Sequence, residues 1–168
     1  MRPIYRIGGD YFDFIKINAN EFLWCIADAS GKGVSAALLM ANLQASLRAW
    51  ASVESNLIKV TERLNEIVFS NTNGERFITL FLGLYNENTR ELQYVNAGHN
   101  PSVLITDGEV KFLREGSTII GAFDTLPVIK VGTATLSPGS IIFNYTDGLV
   151  ESPNEDVYIS EDELVTHL

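Results

Sequence analysis

The sequence predicts an α+β fold with largely antiparallel sheets. Two observations carry that prediction: two adjacent helical stretches early in the chain, and a run of hairpin-linked strands after residue 76. A third sets the scale. The 168 residues are 46% hydrophobic and 20% charged, enough to fill one core of ordinary domain size, which excludes general disorder.

The elements follow in order. Residues 4–17 are mixed and interrupted by Gly8-Gly9-Asp10, so they read as a strand broken by a turn or bulge. Residues 21–27 are almost wholly apolar and end at Asp28, the pattern of a strand buried on both faces. Ala29-Ser30-Gly31-Lys32-Gly33 turns into a helix, where Ala36, Leu39, Met40, Leu43, Leu47 and Trp50 recur on one face. A second helix is expected over 54–69, with Leu57, Val60, Leu64 and Ile67 as its stripe and residues 71–74 as its stop. Strands over 77–85 and 91–96 flank the turn 86–89. Residues 102–106 and 109–113 flank Asp107-Gly108, a strong hairpin signal. A weaker strand is expected at 126–131, another at 133–136, and a last one at 140–146 ending in Asp147. Residues 160–168 read as the start of a helix.

Composition narrows the function. The net charge of −9 argues against a nucleic-acid surface. Residues 151–163 hold six acidic side chains and no Lys or Arg, so the remainder carries only −3, and that stretch is most simply a solvated loop running into a helix start. The single cysteine, Cys25, cannot form an internal disulfide and reads as a buried small hydrophobe in a reducing cytoplasm. No apolar run approaches the roughly 18 residues of a membrane span, and no secretory signal is visible.

Three segments share one design, an apolar run with an Asp and a nearby glycine: GGDYFD at 8–13, ADASGKG at 27–33 and YTDG at 145–148. A strand ending in Asp places a carboxylate at a sheet rim, and glycine lets backbone and ligand approach. Were the three rims to coincide, each like-charged pair at about 4 Å would cost roughly 4 kcal/mol at an effective dielectric of about 20. Such a cluster needs shared protons or a cation, and all-oxygen ligands favour Mg²⁺ or Mn²⁺. Each aspartate alone is more often a turn residue than a ligand; their joint occurrence is the signal.

Other chemistries fit less well. Two histidines and one cysteine, His99, His167 and Cys25, cannot supply a closed structural zinc site. Gly31-Lys32-Gly33 is no phosphate loop, since Ile26 stands where the first glycine is needed and Gly33 where Ser or Thr is. As a glycine-rich turn opening a helix it leaves a weak anion site or a simple tight turn. His99, in Ala97-Gly98-His99-Asn100-Pro101, has no Gly-x-Ser-x-Gly elbow to serve, so a serine hydrolase is disfavoured.

Together these segments resemble the metal-dependent protein phosphatases, the type 2C-like or PPM superfamily. The likeness is to the bacterial branch of the sporulation stage II phosphatase and the stress-response sigma-factor regulators. It rests on GGDYFD at 8–13, ADASGKGVSAALLMANL at 27–43, RFITLFLGLYN at 76–86, YVNAGHNP at 94–101 and IIFNYTDGLVES at 141–152. The resemblance implies one phosphatase domain over 1–168, built as a four-layer α-β-β-α sandwich with metals at one edge between two antiparallel sheets. It implies that Asp28 bridges two divalent cations, Mn²⁺ or Mg²⁺, with the Ala29 carbonyl beside it, Asp147 as a further ligand and Asp10 as a direct or water-mediated one. Asp10, Asp28 and Asp147 would then carry the catalysis. Asp13, Gly31, His99 and Gly148 would lie behind the ligands or near the substrate.

The implied reaction is hydrolysis of phosphoserine or phosphothreonine on a protein, often an anti-sigma-factor antagonist in this branch, by water held between two cations. The family also has a metal-binding aspartate on a last strand well beyond the Tyr-Thr-Asp-Gly segment, and a strand ahead of the first motif. On that basis the chain is expected to be a fragment trimmed at both ends, weakly active or inactive alone. Sensor or receiver domains are expected upstream, with no nucleic-acid or membrane contact by this domain, and a homodimer is left open. The competing reading is a non-catalytic phosphatase-like binding module; a metal-free carboxylate-pair glycosidase is a third.

Overall fold

The computed structural model describes residues 8–150 and 160–167. The part of the first expected strand before Gly8, and most of the acidic stretch, lie outside the described residues. Strand β1 (Asp10–Lys16) starts directly after the Gly-Gly pair and runs antiparallel to β2 (Glu21–Ala29). Two helices follow, α1 (Val34–Ala51) and α2 (Leu57–Thr72). Then come β3 (Ile78–Asn86), β4 (Glu91–Ala97), β5 (Ser102–Thr106), β6 (Glu109–Leu113) and the two-residue β7 (Gly116–Ser117). Strands β8 (Gly132–Thr135) and β9 (Ile141–Phe143) and two short helices, α3 (Asp147–Val150) and α4 (Glu161–His167), complete the order.

The larger sheet runs β1-β2-β3-β4-β7, with β8 also paired to β4; the smaller runs β6-β5-β9. Among the described strands the pairings are antiparallel except β4 with β7. Strand alternation sorts side chains into layers. Leu23, Cys25, Ala27 and Ala29 of β2, with Leu80 and Leu82 of β3, pack against Leu39, Leu43 and Leu64 of the helices. From the opposite face Trp24, Ile26, Phe81 and Tyr94 meet Leu104 and Ile142 of the smaller sheet. On that sheet's far side Val103 and Tyr145 bury Leu164 of α4. The result is helices, sheet, sheet, helix: the expected four-layer arrangement.

Local chemistry sets the boundaries. Asn56 caps α2 by accepting from the Ile58 and Lys59 amides, so the helix opens there and not at Glu54. Asn73 closes it in the left-handed region, at φ 51°. Ser160 and Glu163 exchange hydrogen bonds as a capping box for α4.

Several expectations are corrected. Trp50 and Ile67 are only partly buried; Ala51 and Val68 take the core positions, and Arg63 stacks over the Trp50 ring. Residues 126–131 form no strand, although Leu126, Ile129 and Val131 pack against the helix-side core. The last strand stops at Phe143, so Asp147 does not end a strand but opens α3.

Candidate functional site

The β1–β2 register places Asp10 directly opposite Asp28, and the β2–β3 register places Asp28 opposite Thr79. Asp28 shares the phase of Trp24 and Ile26, so its carboxylate stands on the side facing the smaller sheet. Here the two sheets part around a cleft of about 500 Å³, lined by Asp10, Ile26, Phe143, Tyr145 and Leu149 among others. Asp10 and Asp147 are exposed, whereas Asp28 is partly buried.

The Asp28 carboxyl is pushed up to about 6. Burial is the largest cause, followed by the negative charges of Asp10 and then Asp147; Asp10 is also close enough to share a proton with it. Asp28 is therefore the member common to two repulsions. The structure brings Asp10, Asp28 and Asp147 into one electrostatic neighbourhood. Among the described residues, however, no three His, Cys, Asp or Glu side chains close into a ready-made metal cluster.

Gly9 shows what the rim is shaped for. A Cβ built there would lie 3.1 Å from the Ala29 carbonyl oxygen and 3.2 Å from Asp28 Oδ1. Two hard oxygens thus flank one small space that the missing side chain leaves open. The donor set fits Mg²⁺ or Mn²⁺, which take carboxylate and carbonyl oxygens.

His99 joins the site from β4's end. It is 7% exposed, and its Nδ1 lies 2.8 Å from Thr79 Oγ1. Its backbone N–H donates to Asn96 Oδ1 at 2.8 Å. Burial lowers its proton affinity; the Tyr145 carbonyl, Asp147 and Asp10 act the other way without overcoming that. The ring is therefore neutral near pH 7, with Thr79 as a hydroxyl neighbour on the strand next to Asp28.

Asp13 does not join. Three residues from Asp10 on a strand, it points to the opposite face, toward α1. There Arg48 donates Nε and Nη2 to its two oxygens at 2.8 and 2.6 Å, and the Tyr11 hydroxyl donates at 2.5 Å. Burial disfavours its charge, but those donors and the Phe14 amide outweigh it and hold the carboxyl below its usual range. Asp13 fastens β1 to α1. Gly31, at φ +97°, sits against the Arg76 guanidinium and not in the cleft, and Gly148 is exposed within α3. Thr79, opposite Asp28, and Arg76, bonded to the Ser30 turn beside it, both lie inside the segment 76–86 although sequence reasoning gave neither a role. Their signal was the motif itself; their partners, 20 and 46 residues away, are visible only in the fold.

Comparison with known proteins places these features in a group. The family profile described as Stage II sporulation protein E (SpoIIE) matches residues 18–168. The chain is 27% identical to the phosphoserine phosphatase RsbU of Bacillus subtilis (strain 168), covering 96% of this chain and 48% of that protein. It therefore spans about half the length of that relative. Among solved structures, the RsbU and RsbW domains of a Mycobacterium tuberculosis protein align with a TM-score of 0.81 at 26% identity, covering 98% of this chain and 46% of that one. The PP2C phosphatase domain of SpoIIE from Bacillus subtilis aligns at 0.79 and 19% identity, over 95% and 46% of the two chains, a likeness of fold. RsbX in complex with magnesium aligns at 0.73 and 24% identity, over 90% and 72%.

Proposed function

Since the chain belongs to the stage II sporulation protein E family, within the type 2C-like metal-dependent phosphatases, we propose that it forms a protein serine/threonine phosphatase domain. Its substrate would be phosphoserine or phosphothreonine on a regulatory protein, and the two divalent cations, Mn²⁺ or Mg²⁺, that its carboxylates would hold would supply an activated water. The carrying observation is Asp28, faced by Asp10 across the strand pair and reached by Asp147 from the start of α3.

Asp28 would hold both ions, with the Ala29 carbonyl beside it; Asp147 and Asp10 would supply further oxygens. When bound, such ions lower the pKa of water and neutralise charge on the phosphoryl oxygens. The chain's own part is to keep these oxygens in place. The sheet register sets Asp10 against Asp28, the Gly9 gap leaves the Ala29 carbonyl open, and the neutral His99 ring packs against Thr79 without adding positive charge. The exposed Asp10 and Asp147 form an open rim, which suits a phosphoester carried on a protein surface better than a small molecule needing enclosure.

The likeness to a phosphoserine phosphatase, and to a domain joined to an RsbW domain, supports a substrate of the anti-sigma-factor antagonist class. Regulatory domains elsewhere in a longer parent chain accord with the partial coverage of RsbU. A cytoplasmic setting accords with the single buried Cys25. No helix among the described residues is long and apolar enough to cross a membrane.

The test is release of phosphate from a phosphoserine protein with Mn²⁺, with and without EDTA. We expect activity that EDTA abolishes and excess Mn²⁺ restores, and a loss of about two orders of magnitude or more in Asp28→Ala. Turnover by Asp28→Ala at the original rate would refute the assignment.

A further inference from the structure

The turn that carries Asp28 and Ala29 toward α1 is gripped from outside. Arg76, just ahead of β3, donates Nη1 to the Ser30 carbonyl at 3.0 Å. The Ser30 N–H donates to the Phe77 carbonyl at 2.9 Å, and the Phe77 N–H donates to Ser30 Oγ at 2.9 Å. Ser30 is thus held at its nitrogen, its hydroxyl and its carbonyl by residues 76 and 77. Arg76 is itself anchored, since its carbonyl accepts from Thr72 Oγ1 at 3.2 Å. Among the described residues no carboxylate forms an ion pair with it.

Planarity of the peptide group gives this grip a consequence. With the Ser30 N–H aimed at Phe77, the trans peptide turns the Ala29 carbonyl the other way, toward β1 and the space beside Gly9. The Arg76 bond fixes the next peptide plane, so both torsions of Ser30 are set. Gly31 completes the fit: a Cβ there would lie 1.8 Å from Arg76 Nη1, so the guanidinium occupies the place a side chain would take.

Resting on the metal-site reading above, we propose that Arg76 is a positioning residue. It holds the Ser30–Gly31 turn so that the Ala29 carbonyl and the Asp28 carboxylate are preset for a divalent cation. Arginine suits the task because its planar fork keeps one N–H directed at a carbonyl with little further loss of freedom.

The experiment compares wild type, Arg76→Ala, Arg76→Lys and Gly31→Ala by two measurements that need no turnover. Amide hydrogen exchange is followed at Ser30 and Phe77 in metal-free protein, and Mn²⁺ affinity is measured by calorimetry. Arg76→Ala should speed exchange at both amides and weaken Mn²⁺ binding about tenfold, with the thermal midpoint nearly unchanged. Arg76→Lys, which keeps a donor, should fall between. Gly31→Ala should reproduce the weakening by displacing the guanidinium, and should cost less when added to Arg76→Ala. Wild-type Mn²⁺ affinity and exchange in a folded Arg76→Ala would overturn this inference alone. Failure of the wild-type chain to bind Mn²⁺ would overturn the metal-site reading and this inference with it.

Discussion

Asp10 and Asp28 are register partners in the first strand pair, so the fold holds two carboxylates side by side on one face of the larger sheet. A sheet register is hard to relax, because a slip of one residue would turn every side chain of β1 to the wrong face. The repulsion is therefore built in, and its effects can be measured.

The first is on stability without metal. Asp28, held up at about 6 when folded, binds its proton more tightly than in the unfolded chain, where the value is 3.8. Its contribution is present below pH 4 and is lost as pH rises through 6, because the folded state must then ionise it against Asp10 and Asp147. Asn at this position has no proton to lose. In EDTA at pH 7, Asp28→Asn should be more stable than wild type by about 1 kcal/mol after solvent screening, a rise of about 2–4 °C in Tm. Below pH 4 the gap should close. Equal melting curves at pH 7 would show that the three carboxylates do not crowd.

Cation binding should carry the matching proton linkage. A ligand that must ionise to bind releases its proton, so affinity depends on pH until that group is ionised. Mn²⁺ affinity should climb between pH 5 and 6.5 and level off above, and calorimetry in buffers of different ionisation enthalpy should detect proton release at pH 5.5. A flat profile across that range would remove Asp28 from the ligand set.

Asp13 makes the contrasting case. Its folded carboxyl lies below the usual range, so its contribution is present above pH 4 and lost as pH falls through the folded value. Asp13→Asn should lower Tm by about 2–4 °C at pH 7 by loosening β1 from α1, with the deficit shrinking in acid. Mn²⁺ affinity should stay within about twofold of wild type, because the side chain faces the helices. A large loss of metal binding would place Asp13 in the site after all.

The contrast between Asp10 and Asp13 also shows what the sequence could and could not convey. The motif GGDYFD presents two aspartates three apart, and grouping both near the site ignored the two-residue period that sends them to opposite faces. Strand β2 and helix α1 were legible because an unbroken apolar run and a strict three-and-four spacing each admit one burial pattern. Residues 126–131 were misread because their apolar side chains do reach the core, yet among the described residues the backbone makes one bond, Lys130 N–H to the Gly116 carbonyl, in place of a ladder. The segment 140–146 was overextended because pairing depends on the neighbour: β5 offers partners only as far as Val103 opposite Phe143. Beyond that point the Ser102 hydroxyl bonds the Asn144 side chain, and Asp147 is left free to open α3. The three candidate ligands were visible as residue types; their common neighbourhood depended on the registers.

The Thr79–His99 pair provides the last test. Thr79 is the register partner of Asp28, and the 2.8 Å contact gives the buried His99 Nδ1 its hydrogen-bond partner. Burial keeps His99 neutral, and in the tautomer with a bare Nδ1 that nitrogen accepts from the Thr79 hydroxyl. Thr79→Val keeps the shape and removes the donor, leaving a buried ring nitrogen unsatisfied at a cost of about 1–3 kcal/mol. Thr79→Ser keeps the donor and should retain most of the stability. Because the contact joins β3 to the segment that begins at Gly98, chemical shifts of His99 and Tyr145 should move together in Thr79→Val and stay near wild type in Thr79→Ser. If Thr79→Val is as stable as Thr79→Ser, the hydroxyl does not hold the histidine, and His99 is kept in place by packing and its Asn96 bond alone.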